Sequence, residues 1–168
     1  QKFLEKALKL NPNSSETLSN LGNIFFANKN YSEAINIYEK SVITDPSNTK
    51  AIMNLSLCYK ELHNLDEAYK KAEMAIKQDP ANSEFQNCMG LIFKDYNDIN
   101  KAILFFKRAL SLDPMNVEAM TNVADAYRNT NNFSKALDHY QRAIEINPKF
   151  CKAYKNFSTT LRAIGKLD

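Results

Sequence analysis

The stretch Ser19-Asn20-Leu21-Gly22-Asn23 is too polar for a core segment and too apolar for a loop. Its meaning comes from its copies. A shift of 34 residues gives Met53-Asn54-Leu55-Ser56-Leu57, and further equal shifts give Asn87-Cys88-Met89-Gly90-Leu91, Thr121-Asn122-Val123-Ala124-Asp125 and Lys155-Asn156-Phe157-Ser158-Thr159. Pro12, Pro46, Pro80, Pro114 and Pro148 keep the same interval. A fixed period of roughly 20 to 50 residues marks a stacked array of supersecondary units rather than one globular core.

Within the period, small residues recur at fixed sites. One series is Gly22, Ser56, Gly90, Ala124 and Ser158; the others are Ala34, Ala68, Ala102 and Ala136, and Ala7, Ser41, Ala75, Ala109 and Ala143. Small side chains let two helix backbones approach closely, and Phe25, Tyr59, Phe93 and Tyr127 fill the space beside them. Each unit therefore reads as a helical hairpin. The spacing predicts first helices over 16–28, 50–61, 84–95, 118–129 and 152–164, and second helices over 2–10, 33–44, 67–78, 101–112 and 135–146. Each repeated proline ends a second helix, and Asn48, Asn82 and Asn116 are suited to cap the next first helix. Ser32, Asp66, Asn100 and Ser134 are the expected caps of the second helices, after short polar turns such as Asn28-Lys29-Asn30.

These residues resemble the tetratricopeptide repeat, whose signature stands in 15–48 as Leu18, Leu21, Gly22, Phe25, Ala34, Tyr38, Ser41 and Pro46. Full units are expected at 15–48, 49–82, 83–116 and 117–150, with half-units at 1–14 and 151–168. The resemblance implies an all-α fold, a right-handed solenoid of antiparallel hairpins forming a superhelix. Two positions depart from the pattern: Gln86 stands for a bulky residue and Ala72 for an aromatic, which predicts looser packing in 49–116. The chain opens and closes within a repeat, which predicts a piece of a longer polypeptide whose apolar half-units can associate end to end.

Such an array presents a concave face lined by its first helices. Asn20, Asn54, Asn122 and Asn156 share one register there, with Cys88 interrupting it and Asn87 beside the interruption. Asn23, three residues after Asn20, falls on the same side of its helix. A primary amide both donates and accepts, so a row of them can hold an extended peptide backbone without reading its side chains. Asparagines bonding only to a neighbouring helix are the alternative. The row also resembles that of the tetratricopeptide superhelix in O-linked N-acetylglucosamine transferases. That resemblance implies substrate recruitment through Asn20, Asn54, Asn122 and Asn156, and it fails at Cys88.

A chaperone-tail adaptor needs cations converging on a carboxylate. The equivalent sites of the first three units, Ser19, Asn23, Asn54, Glu84 and Cys88, supply none. The expected function is thus a protein-interaction module that takes a protein or peptide partner in its groove. The alternatives are a structural scaffold that holds folded subunits of an assembly or transport complex by its convex face or its ends, and a chaperone-tail adaptor, for which the last window, Asn87, Leu91, Asn122, Lys152 and Asn156, offers one cation.

Charge narrows the partners. Twenty-two basic and 19 acidic residues give +3, with no basic block to track phosphates, so nucleic acid is not expected. No apolar run is long enough to span a membrane, so no membrane is expected either. Cys58, Cys88 and Cys151 are odd in number and lack metal or redox spacing, which fits a cytoplasmic or nuclear setting. His63 in a turn and His139 in a helix have no ligand partner at helical spacing, and both are expected to be solvated. No metal, no cofactor and no catalytic residue is predicted. Glu118 and Asp125 read as solvated surface, and the run Ile103-Leu104-Phe105-Phe106 reads mostly as hairpin core.

Overall fold

The structure is a computed structural model that describes residues 14–165. The helix expected over 2–10 and the first half-unit, up to residue 13, lie outside the described residues. Among the described residues there are nine α-helices and no strand.

The chain divides into two compact units. In the first, residues 1–80, α1 (Ser15–Ala27) pairs with α2 (Tyr31–Thr44), and α3 (Thr49–Glu61) with α4 (Leu65–Gln78). In the second, residues 81–168, α5 (Ser83–Asp95) pairs with α6 (Ile99–Leu112) and α7 (Val117–Asn129) with α8 (Phe133–Ile146). There α9 (Cys151–Ala163) packs on α8. The second helix of one hairpin also packs on the first helix of the next, α2 on α3 and α6 on α7.

The connections inside the hairpins share one geometry. Lys29 donates its N–H to Phe26 O and Asn30 to Phe25 O, both at 2.9 Å, which closes α1 in a Schellman motif. Tyr59, Phe93 and Tyr127 accept the same bond from Asn64, Asp98 and Asn132. The residue that closes one helix then opens the next, since Asn30, Asn64, Asp98 and Asn132 are the N-caps of the second helices. The second helices accordingly begin at 31, 65, 99 and 133, two residues before the expected starts. Ser32, Asp66, Asn100 and Ser134 are inside them and not their caps. The Schellman turn is so short that no residue remains for a separate cap.

Between hairpins the backbone turns at Asp-Pro or Asn-Pro. Asp45 accepts at Oδ1 from Ser47 N–H at 3.0 Å and at its carbonyl from Asn48 N–H at 3.1 Å, with Pro46 at the corner. Asn48, Asn82 and Asn116 cap the following first helices, as expected. At the fourth such turn Phe150 stands in the cap position and gives no side-chain bond.

The cores grow from the small-residue series. Ala34, Tyr38, Ala51, Leu55 and Cys58 form one cluster, Ala102, Phe106, Val123 and Ala126 another, and Ala124, Ala136 and Tyr140 a third. A Cβ on Gly22 would come within 2.6 Å of the Tyr38 ring, and one on Gly90 within 2.5 Å of Phe106, so each glycine makes room for an aromatic ring. Burial pushes the Cys58 thiol up to about 12. Ala72 and Gln86 are both fully buried. Of the run 103–106, Phe106 is core and Phe105 stacks on Phe93, but Leu104 is 62% exposed because it faces away from α5.

Candidate functional site

The expected contact residues are placed by the first helices, and each unit arranges its own set. In the first unit Asn20 and Asn23 are exposed on α1 and Asn54 is half-buried on α3. Asn54 Nδ2 donates to Asn23 Oδ1 at 2.9 Å, and the Tyr38 hydroxyl donates to the same oxygen at 2.6 Å. Asn23 therefore joins its own hairpin to the next one. Burial holds the Tyr38 phenol well above its usual range, so it stays a donor.

The second unit repeats this knot with a carboxylate. Asp125 Oδ1 accepts from the Tyr140 hydroxyl and from Asn156 Nδ2, the latter at 2.7 Å. Arg128 Nη2 lies 4.0 Å from Oδ1, and Lys152 Nζ 3.9 Å from Oδ2. Asp125 is thus not the solvated acid expected of it: its side chain is 16% exposed and enclosed by partners of both kinds. Burial, followed by the bond to Asp125, raises the Tyr140 phenol above its usual range.

Asn87 and Asn122 make a second, more deeply set pair. Each is 5% exposed; Asn122 Nδ2 donates to Asn87 Oδ1 at 3.0 Å, and Asn122 Oδ1 accepts from Lys152 Nζ at 2.9 Å. The six expected residues therefore divide. Asn20, Asn23 and Asn54 lie open or half-open on the first unit, Asn156 is half-buried, and Asn87 and Asn122 are used mainly within the protein.

The reading of the sequence missed the partners Tyr38, Tyr140, Asp125 and Lys152. A signal for them is present. Asn23 and Asp125 each stand 15 residues before a tyrosine, and where that place holds Leu57 or Leu91 the tyrosine is replaced by Ala72 or Phe106. A polar knot thus appears or vanishes as a set.

His63 is exposed in its turn, as expected. His139 is not solvated. It is half-buried, stacked on Tyr127 with centroids 5.8 Å apart, and its Nδ1 is closed to solvent without a hydrogen-bond partner. Desolvation first, and then the Arg142 charge, lowers its pKa. Among the described residues no three His, Cys, Asp or Glu groups are placed to hold a metal ion. Nor is any helix there long and apolar enough to cross a membrane.

Comparisons with known proteins agree with this architecture. Family models of the tetratricopeptide repeat match residues 3–36, 25–92, 87–116 and 117–150. A search of curated proteins finds no match. Among solved structures the chain is similar to TTC0263, a thermophilic TPR protein of Thermus thermophilus, with a TM-score of 0.88 and 23% identity over 96% of this chain and 88% of that one. It is similar to PilW, a type IV pilus biogenesis factor, with a TM-score of 0.83 and 22% identity over 90% and 70% of the two chains. A third is YrrB, a TPR protein with an unusual peptide-binding site, with a TM-score of 0.68 and 20% identity over 97% and 84%. At these identities the likeness is one of fold. The 34-residue period, the paired helices and the four matching segments agree: this chain belongs to the tetratricopeptide repeat family.

Proposed function

We propose that this protein-interaction module binds an extended peptide or unfolded segment of a partner along its first-helix face, through Asn20, Asn23, Asn54, Asn87, Asn122 and Asn156. The observation that supports it is the Asn23–Asn54 pair. Their mutual bond uses the acceptor of one amide and a donor of the other. The Asn23 amide N–H and the Asn54 carbonyl remain for a peptide, whose backbone offers one acceptor and one donor per residue. Asn20, exposed one turn before Asn23, extends the pair. In the second unit Asn87 and Asn122 act from below by holding Lys152 in place.

A peptide selected from a random library on the whole chain supplies the probe. Asn20→Ala and Asn54→Ala each remove a bond worth about 0.5–1.5 kcal/mol, so each should weaken that peptide about two- to tenfold by calorimetry. Unchanged affinity in the double variant, with thermal stability retained, sinks the reading. Substrate recruitment for an O-linked N-acetylglucosamine transferase is its finer form, resting on the same row, and Cys88 is where the row departs from that family.

Exposed apolar side chains on second helices favour a second reading. Ile43 on α2 is 79% exposed and Leu104 on α6 is 62% exposed. A scaffold that holds folded partners would use such residues. In that case the asparagine variants are silent, while Ile43→Glu releases the partner.

A further inference from the structure

In the second unit α6, α7 and α8 border a half-open cavity of about 260 Å³ lined by Lys107, Leu110, Ser111, Pro114, Met120, His139 and Arg142. Its floor follows from repeat packing. Leu110, Pro114 and Met120 correspond, two periods earlier, to Val42, Pro46 and Ile52. The rim does not follow from packing. Where the first unit has Glu39, Ile43, Lys71 and Met74, the second has Lys107, Ser111, His139 and Arg142. One acid and one cation have become two cations and an imidazole around the same apolar base.

These cations are available. Lys107 and Arg142 are both exposed, and neither forms an ion pair among the described residues. Asp138 on α8 is the acid whose charge acts on His139, and Tyr127 covers His139 from α7. The Ser111 hydroxyl donates to the Arg108 carbonyl at 2.8 Å and so is occupied. His139 Nδ1 has no hydrogen-bond partner, which a buried polar atom rarely lacks. The volume lies just below the roughly 300 Å³ at which pockets for drug-sized ligands begin, so it suits a single side chain.

We propose that this cavity between α6 and α8 binds an acidic segment of a partner protein, one apolar side chain filling the floor while flanking carboxylates meet Lys107 and Arg142. Charge complementarity selects the occupant: an apolar anchor alone would leave two cations unanswered, and an acid alone would leave the floor wet. The site shares no residue with the asparagine row, so it stands or falls independently of that row.

The test uses the whole chain, labelled with ¹⁵N, and two end-blocked peptides, Gly-Asp-Leu-Glu-Gly and its neutral analogue Gly-Asn-Leu-Gln-Gly. The acidic peptide should cause saturable shifts in residues 107–111 and 139–142, and bind about tenfold or more tightly than the neutral one. Lys107→Glu plus Arg142→Glu should remove the shifts at unchanged thermal stability, since both side chains are exposed. Lys107→Gln plus Arg142→Gln is the milder check. Lys40→Glu plus Lys71→Glu changes net charge equally on the first unit's second helices and should leave binding intact. Equal binding of the two peptides, equal weakening by the two reversals, or no saturable shift at these residues overturns the proposal.

Discussion

A single backbone angle recurs through the chain and carries a cost where lysine or histidine adopts it. Lys29, His63, Asn97 and Asn131 have φ of 59°, 58°, 62° and 57°, and Gly165, at the same repeat position, has 67°. Glycine adopts this region freely and asparagine tolerates it, but lysine and histidine are strained there. Lys29 is exposed and contributes no side-chain bond, so Lys29→Gly should raise stability by about 0.5–1 kcal/mol in urea unfolding, after the entropy of the freer unfolded chain is subtracted. A loss of stability would show that the turn is not the strained element. His139 has a different liability. Its pKa is lowered in the fold from 6.5 by burial and by Arg142, so the unfolded chain takes up the proton first as pH falls. Its contribution is complete above about pH 6.5 and is lost as pH falls below that value towards the lowered one. His139→Phe retains a ring against Tyr127 and removes the proton; urea unfolding at pH 7.5 and 5.5 should show a smaller difference for the variant. An unchanged difference would place the effect elsewhere.

At the scale of the helices, period and packing were legible and the turns were not. Pro46, Pro80, Pro114 and Pro148 fix where second helices end, and Asn48, Asn82 and Asn116 cap the first helices, because proline and a capping amide each act through one local bond. The second helices began earlier than the pattern implied. Ser32 and Asp66 are as able to cap as Asn30 and Asn64, and only the left-handed residue before the cap decides which one does. The small-residue series has a sharper consequence. Phe106 is fully buried and its ring carbons would lie 2.5 Å from a Cβ at Gly90, so Gly90→Ala should cost about 1–3 kcal/mol despite alanine's better helix propensity. Gly22→Ala should cost less. Ala124 already sits beside Tyr140 in the same arrangement, and that tyrosine still reaches its acceptor, which shows a ring position that Tyr38 can take up. Equal losses in the two variants would mean that the aromatic ring does not set the cost.

Across the whole chain, the candidate site was legible as a register and illegible as an environment. Asn20 and Asn122 occupy the same repeat position, yet one is exposed and the other 5% exposed with both ends of its amide bonded. What differs is the neighbour: Asn87 and Lys152 stand beside Asn122, and a periodic pattern in one stretch of sequence does not say which side chains of adjoining helices will reach across. The cavity rim was hidden for the same reason, since Lys107 and Arg142 are ordinary surface cations until α6 and α8 bring them to one apolar floor. Repeats nevertheless depend mainly on their neighbours, so stability should be close to a sum of hairpins and the contacts between adjacent ones. The unit 81–168 contains two full hairpins and α9, each packed on the next. Produced alone, it should remain helical by circular dichroism and unfold cooperatively, at a lower temperature than the whole chain because a shorter array has fewer stacked hairpins. Its acidic-peptide shifts should also persist, because α6, α7, α8 and the turn at Pro114 supply every side chain lining the cavity. A chain without cooperative unfolding would show that its hairpins require the preceding unit, and nearest-neighbour contacts within 81–168 would then be too weak to carry the fold.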